Sequence, residues 1–246
     1  MDRWKQARDI LIVVNIFVLL LAFVVSQNRD FYINLEALAR YSDLITEGYR
    51  RTIWLSLVAL VVSLTFSAVL FFMTISKYDA LNYLYIAFTQ IMLGVPLMVH
   101  IIVLYFFLTS AIGIRDPIIG GTLILSLYMS CYFAKTFEGA YNDISPQQFK
   151  MMHILQLPKS VCIKKIILPQ MIKATLPTLT THFALLVKST ALLSLISVPE
   201  FTQYINLFNS RTLDFVTGYV ILAIGYLTIT IPLSFFAYWL NRKVGD

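Results

Sequence analysis

Residues 145–169 read Ser-Pro-Gln-Gln-Phe-Lys-Met-Met-His-Ile-Leu-Gln-Leu-Pro-Lys-Ser-Val-Cys-Ile-Lys-Lys-Ile-Ile-Leu-Pro. Ser145 is a good helix cap, Pro146 suits the first helical position, and Gln148 at the third can reach back to complete a capping box. Leu157-Pro158 should stop the helix, because the residue before a proline avoids the α region. The spacing therefore predicts a helix of about eleven residues between two prolines. It carries Phe149, Met151, Met152, Ile154 and Leu155, more apolar surface than a free loop tolerates. Methionine is flexible and polarizable, which suits a docking surface. Composition alone favours a plainer account, a helix lying on the membrane or on its own bundle.

Outward from this segment the chain turns apolar on both sides. Hydrophobic residues make up 59% of the 246 and charged residues 13%, about half the charge of a soluble domain. Mean hydropathy is +0.77. These values exclude a disordered chain, a coiled coil and an ordinary soluble enzyme. The apolar residues come in long blocks rather than short alternating runs, so the expected class is an all-α polytopic membrane protein and not a barrel. About six spans are expected. They lie at 10–26, 52–75, about 95–111, 118–134, about 179–198 and 215–240. A signal peptide is the alternative for the first, but no small-x-small cleavage site follows it. Leu35, Leu38 and Ile45 suggest a short interfacial helix within the polar stretch 28–51. Gly94-Val95-Pro96 interrupts an apolar run too long for one span, which predicts a tilted or surface-lying helix at 81–93 and a kink before the third span.

Most of the 19 Lys and Arg fall at the termini, in the 76–80 loop and from Lys135 to Lys188. The positive-inside rule then puts both termini and residues 135–177 in the cytoplasm. That distribution, rather than nucleic acid, accounts for the basic pI. Cys131 and Cys162 form no disulfide framework. There is no Cys/His cluster for zinc, no Walker or Rossmann glycine loop, and no nucleophile–base pair or paired carboxylates within the spans. No cofactor is expected, and no covalent catalysis.

The cytoplasmic segment resembles the loop of ATP-binding-cassette (ABC) importer permeases, Glu-Ala-Ala, three residues, Gly, nine residues, Ile-x-Leu-Pro. The frame falls on Lys150-Met151-Met152, Gln156 and Ile166-Ile167-Leu168-Pro169; Ile166, Leu168 and Pro169 match, while the Glu, both Ala and the Gly do not. Six further blocks, in order, are similar to the polar-amino-acid subfamily of histidine, glutamine and arginine permeases. They begin at Gly48 with Thr52, Leu55, Ser56 and Leu57, continue with Pro96-Leu97 and Tyr105-Phe106, and then with Tyr132, Ala134 and Gly139. Lys188 with Thr190 and Leu192 comes next, and then Glu200. The resemblance covers about residues 45–240.

It implies a type I importer core over 45–246, preceded by a transmembrane helix and external linker over 1–44, in a bacterial inner membrane. It implies two permease subunits, as a homo- or heterodimer, with separate ABC ATPase subunits and an extracytoplasmic solute-binding protein. The coupling helix near 145–157 would dock on an ATPase through Gln148, Lys150, Met151, Met152, Gln156, Ile166, Leu168 and Pro169. ATP-driven closure would move it and expose the pathway alternately to each side. The solute would be a polar amino acid. Two alternatives stay open: a permease for another small solute, and a non-transporting scaffold or sensor that has lost its ATPase, for which Lys150 and Gln156 are the motive.

Candidate pathway residues are Pro96 and His100 at the kink, Tyr132, Lys188 and Thr190. Lys188 lies in the apolar run 183–196, where an ammonium is costly unless paired, functional or snorkelling. His100 is read as a hydrogen-bonded span residue and also as a pocket candidate. Lys135 and Glu138 carry the family's Glu and Arg pair with the charges exchanged. At this spacing they could form a structural ion pair at the cytoplasmic end of the fourth span. Glu200 is expected to be structural.

Overall fold

The computed structural model describes residues 32–245 except residue 110, together with Asn15, Ile16, Leu19 and Phe23. The expected first span, 10–26, lies largely outside the described residues. Among the described residues there is no strand. The α-helices are α1 Leu35–Arg40, α2 Ser42–Thr74, α3 Asp79–Gly94, α4 Leu97–Val103, α5 Pro117–Asn142, α6 Pro146–Ile154, α7 Lys159–Val161, α8 Leu168–Ser189, α9 Phe201–Thr212 and α10 Phe215–Gly245. A π-helical turn, Leu104–Thr109, continues α4, and another, Cys162–Ile167, joins α7 to α8. A 3-10 turn, Thr190–Ile196, ends the α8 rod.

Four helical rods are long and apolar enough to cross a membrane: Ser42–Thr74, Pro117–Asn142, Lys159–Ile196 and Phe215–Lys243. A fifth span is possible if Asp79–Gly94 and Leu97–Thr109 act together, although they meet at 102°. The bend sits where Gly94-Val95-Pro96 predicts it. Val95, forced by the proline behind it, is extended (φ −110, ψ 139). Two elements differ from expectation. Only Leu35–Arg40 forms a separate short helix in the polar stretch, because the second span starts at Ser42 rather than Thr52. The polar first turns of α2 are helical because Glu47 accepts from both Arg50 (2.6 Å) and Arg51 (2.7 Å), one turn ahead. The expected domain boundary at 44/45 therefore falls inside a continuous helix.

The core is built where α2, α5 and α8 meet, around Leu55, Ala59, Ile101, Leu125, Met129 and Leu186. Small residues let α2 and α5 approach closely. Ser126 Oγ donates across that contact to the Ala59 carbonyl (3.3 Å), as well as to Thr122 in its own helix (2.6 Å). Ser56 and Ser63 donate to carbonyls four residues back. The hydroxyls of Ser56, Ser63 and Ser126 are all bonded, as a span requires, while the buried Thr122 Oγ1 has no partner among the described residues. Near the start of α2, Gly225 of α10 lies where a Cβ would stand 2.3 Å from the Phe201 ring, so only glycine admits α9 there.

Candidate functional site

Ser145 caps α6 by accepting from the Gln147 amide (3.3 Å), and Pro146 occupies the first turn as expected. The capping box forms differently. The Gln147 side chain bonds Ser145, while Gln148 Oε1 instead accepts from Gln170 Nε2 (3.1 Å), tying α6 to the start of α8. The helix is nine residues long and ends at Ile154, shorter than the spacing predicts. Its closing turn explains why. The Leu157 amide bonds the Met152 carbonyl (3.1 Å) and Gln156 takes φ 46. That is a helix-terminating motif whose left-handed position glycine usually fills. The family's glycine falls on that position, so its replacement by Gln156 leaves the turn in place with backbone strain.

One side of α6 is fixed to the bundle. Met152 is buried, and Phe149 packs its ring 5.6 Å from Tyr141 beside Ala140, Ile144 and Met171. Met152 is thus an anchor rather than an outward contact, a correction to its expected place. The other side is bare. Met151 is 53% exposed, Ile154 69% and Leu155 61%, beside exposed Lys150 and Gln148. Ile154 and Leu155 belong to this surface and were legible only as apolar residues of the helix. Leu168 and Pro169 are exposed and Ile166 half-buried at the adjoining corner.

Toward the middle of the molecule a row of polar rings crosses three helices. His100 Nε2 lies 3.0 Å from the Met92 carbonyl; since a carbonyl only accepts, the ring donates, and it bridges the broken helix. Its ring is 5.9 Å from Tyr128, which lies 5.6 Å from Tyr132, which lies 5.4 Å from His182. His182 Nε2 is 3.1 Å from Thr136 Oγ1. Tyr128, Tyr132 and Thr136 recur every four residues, one face of α5. His100 and Tyr132 are therefore brought together, with Tyr128 and His182 as further members that the sequence candidates did not include, while Pro96 is exposed one turn before His100 and outside the row. The i, i+4 spacing on α5 was the available signal.

Lys188 and Thr190 do not join this row. Lys188 is exposed, with no ion pair among the described residues, and Thr190 is buried, donating to Val187. The Lys135–Glu138 pair is also absent. Glu138 accepts instead from Tyr85 (2.6 Å), which joins α5 to α3, while Lys135 is exposed.

Glu200 is fully buried between the spans Lys159–Ile196 and Phe215–Lys243. It caps α9, accepting from the Gln203 amide (2.9 Å). Its other oxygen accepts from Thr52 of α2 (3.3 Å) and Tyr226 of α10 (3.1 Å). Thr52 in turn accepts from the Phe201 amide (3.0 Å). Burial pushes this carboxyl up to about 7, although its hydrogen bonds favour the charged form. Its structural role is as expected. The spacing Glu200-x-x-Gln203 before an apolar residue was its signal.

Residues 71–246 match the family described as binding-protein-dependent transport system inner membrane component. The chain is 29% identical over 80% of its length to a probable glutamine ABC transporter permease protein, GlnM, of Bacillus subtilis, and covers 92% of that protein. It is 32% identical over 58% of its length to the arginine ABC transporter permease protein ArtQ of Haemophilus influenzae, covering 68% of it. Among solved structures, an amino acid ABC transporter with histidines superposes with a TM-score of 0.79 at 21% identity, over 87% of this chain and all of that one. The MetNI methionine ABC transporter, in an inward-facing conformation, gives 0.68 at 15% identity, over 83% of this chain and 98% of that one. These two likenesses establish a shared fold.

Proposed function

The chain belongs to the binding-protein-dependent transport system inner membrane component family, and from that premise we propose that it carries a polar amino acid inward across the membrane. It is a multi-pass permease subunit of an ABC importer, and ATP is hydrolysed by a separate ATPase. The amino-acid class rests on the relatives named for glutamine and arginine.

The observation that carries the mechanism is the two-sided α6. A nine-residue helix anchored by Met152 and Phe149, with Met151, Ile154 and Leu155 bare, is suited to sit in a groove on an ATPase. A short rigid helix transmits rigid-body motion. The Gln148–Gln170 bond and the Tyr85–Glu138 bond would carry that motion into α8 and α3. The row His100, Tyr128, Tyr132, His182 would line the pathway, offering donors and ring faces to a zwitterion, with the partner permease supplying the facing wall. Lys188, exposed on α8, would face that partner or the pathway. Both termini and α6 would be cytoplasmic. A solute-binding protein would deliver at the end carrying α9. Residues before α2 would supply the first span and external linker.

The test is uptake. The permease is reconstituted with the ATPase and binding protein that co-purify with it, and ATP-dependent entry of labelled glutamine and arginine is measured. Entry that requires all components supports the reading. No entry of either, with ATPase activity intact and stimulated by a different solute, would overturn the amino-acid assignment.

A further inference from the structure

From Ile144 to Pro199 the chain carries no Asp or Glu, yet it holds Lys150, Lys159, Lys164, Lys165, Lys173 and Lys188. A second acid-free stretch, α10, ends in Arg242 and Lys243. The two stretches converge. The first half of α10 meets the far end of the α8 rod, where Tyr226 bonds Glu200, four residues past Ile196; the same half bonds Asn34 and Tyr49, before and early in α2, through Thr217 and Thr228. Since α8 and α10 pack along one another, they run antiparallel, and Arg242 and Lys243 return to the end where the lysines begin.

That end lies at headgroup depth. The rod Lys159–Ile196 has 38 residues. At 1.5 Å per residue this is about 57 Å, longer than the roughly 40–45 Å of a bilayer with its headgroups. Its first turns therefore stand at or beyond the polar boundary. Lys159, Lys164, Lys165 and Lys173 are all exposed along the first four turns, about 21 Å of axis, with no ion pair among the described residues, and their long stems let the ammonium groups reach toward one level. Exposed aliphatic side chains sit between them: Ile163 is 53% exposed and Ile172 48%. On α10, Lys243 Nζ lies 4.4 Å over the Trp239 ring, which stacks on Phe236 at 5.8 Å. A tryptophan under a lysine at a helix end is the composition of a membrane interface.

We propose that this collar, Lys159, Lys164, Lys165 and Lys173 with Arg242 and Lys243, binds the phosphates of anionic phospholipids in the leaflet bordering α6. Lysine stems lie against acyl chains while the ammonium groups reach the phosphates, and the interspersed isoleucines face the upper hydrocarbon. The same lysines facing an acidic protein would leave those aliphatic side chains without apolar cover. The bare face of α6, with Lys150 as its one lysine, is a separate surface. The proposal is independent of which solute is carried.

The experiment titrates the purified transporter complex with phosphatidylglycerol or phosphatidylcholine of identical tails and counts retained lipid by native mass spectrometry. The wild type should prefer phosphatidylglycerol, and the preference should fall as KCl is raised. The quadruple variant K159Q/K164Q/K165Q/K173Q should lose most of that preference, up to about 600-fold, since each juxtamembrane lysine is worth roughly fivefold. The quadruple Lys-to-Arg variant should keep it, and so should Lys150→Gln. Equal retention of the two lipids by the wild type, or a preference insensitive to both salt and the Gln substitutions, would overturn the proposal. So would a Gln variant that keeps its lipid preference and sheds the ATPase, which would make the collar a protein contact. Should the Gln variant fail to fold, the salt titration of the wild type decides alone.

Discussion

The chain turns through the left-handed region with a side chain present both at Gln156 (φ 46) and at Ser197 (φ 60). The first corner closes the end of α6 and remains open to the outside, with Ile154, Leu155 and Gln156 exposed. The second corner leads into Glu200, whose two oxygens are taken up by α2, α9 and α10. One corner presents a surface and the other closes a joint. The strain of a non-glycine left-handed residue, about 1 kcal/mol, is the same at each. The difference lies in whether the polar and apolar groups nearby find partners within the chain. The surface at the end of α6 leaves apolar side chains without cover, while the joint at Glu200 is closed within the chain.

The contrast is broken most directly at the closed joint. Glu200→Ala leaves the Gln203 amide and two hydroxyls without an acceptor in a buried site, and should cost about 3 kcal/mol of stability, read from thermal unfolding in detergent. Glu200→Gln, which keeps an acceptor, should cost far less. If the two variants unfold together, the network is not what holds the joint.

Next in size is the division of labour between adjacent methionines. Met152→Ala should destabilise by about 2 kcal/mol, because it empties a packed site. Met151→Ala should leave stability within about 0.5 kcal/mol and instead lower ATPase-coupled transport roughly tenfold. A stability loss at Met151 equal to that at Met152 would erase the distinction between the two faces.

Acidity should sharpen the same picture. The Glu200 carboxyl lies at about 7 in the folded chain, against an ordinary 4.5, with burial as the largest cause. The folded state therefore holds the proton more tightly than the unfolded one. The stability this contributes is complete below pH 4.5 and is lost as the pH rises through about 7. Relative to Glu200→Gln, the wild type should lose about 2 kcal/mol between pH 5 and pH 8. A constant difference across that range would contradict the account of this carboxyl.

The smallest expected effect is at the open corner. Gln156→Gly should stabilise the turn by about 0.5–1 kcal/mol, because only the backbone strain is relieved. Hydrogen exchange at the Leu157 amide, which bonds Met152, should slow accordingly.

Much of this architecture was legible in the sequence because it is governed by local rules. Pro96 and Pro146 place a bend and a helix start wherever they occur, and long apolar blocks must be helices in a membrane. The failures are those in which a distant partner decided. Glu138 was matched with Lys135 one turn away, but Tyr85, 53 positions back, took its carboxylate. Gln148 was expected to reach back to its own cap, but Gln170, 22 positions ahead, took its oxygen. Met152 and Met151 are indistinguishable as residue types, and the packing of Phe149 on Tyr141 decides which is buried. His182 carried no local signal, since its neighbours in space lie on α5.

The central claim is that the bare face of α6 is an ATPase seat. It is tested most directly by replacing Cys131 and Cys162, placing a single cysteine at Met151, and cross-linking in native membranes. The account predicts that an ATPase subunit is trapped, that the same cysteine at Met152 traps none, and that ATP changes the yield at Met151. A folded, dimeric protein from which no ATPase is trapped at Met151 or at Ile154 would contradict it.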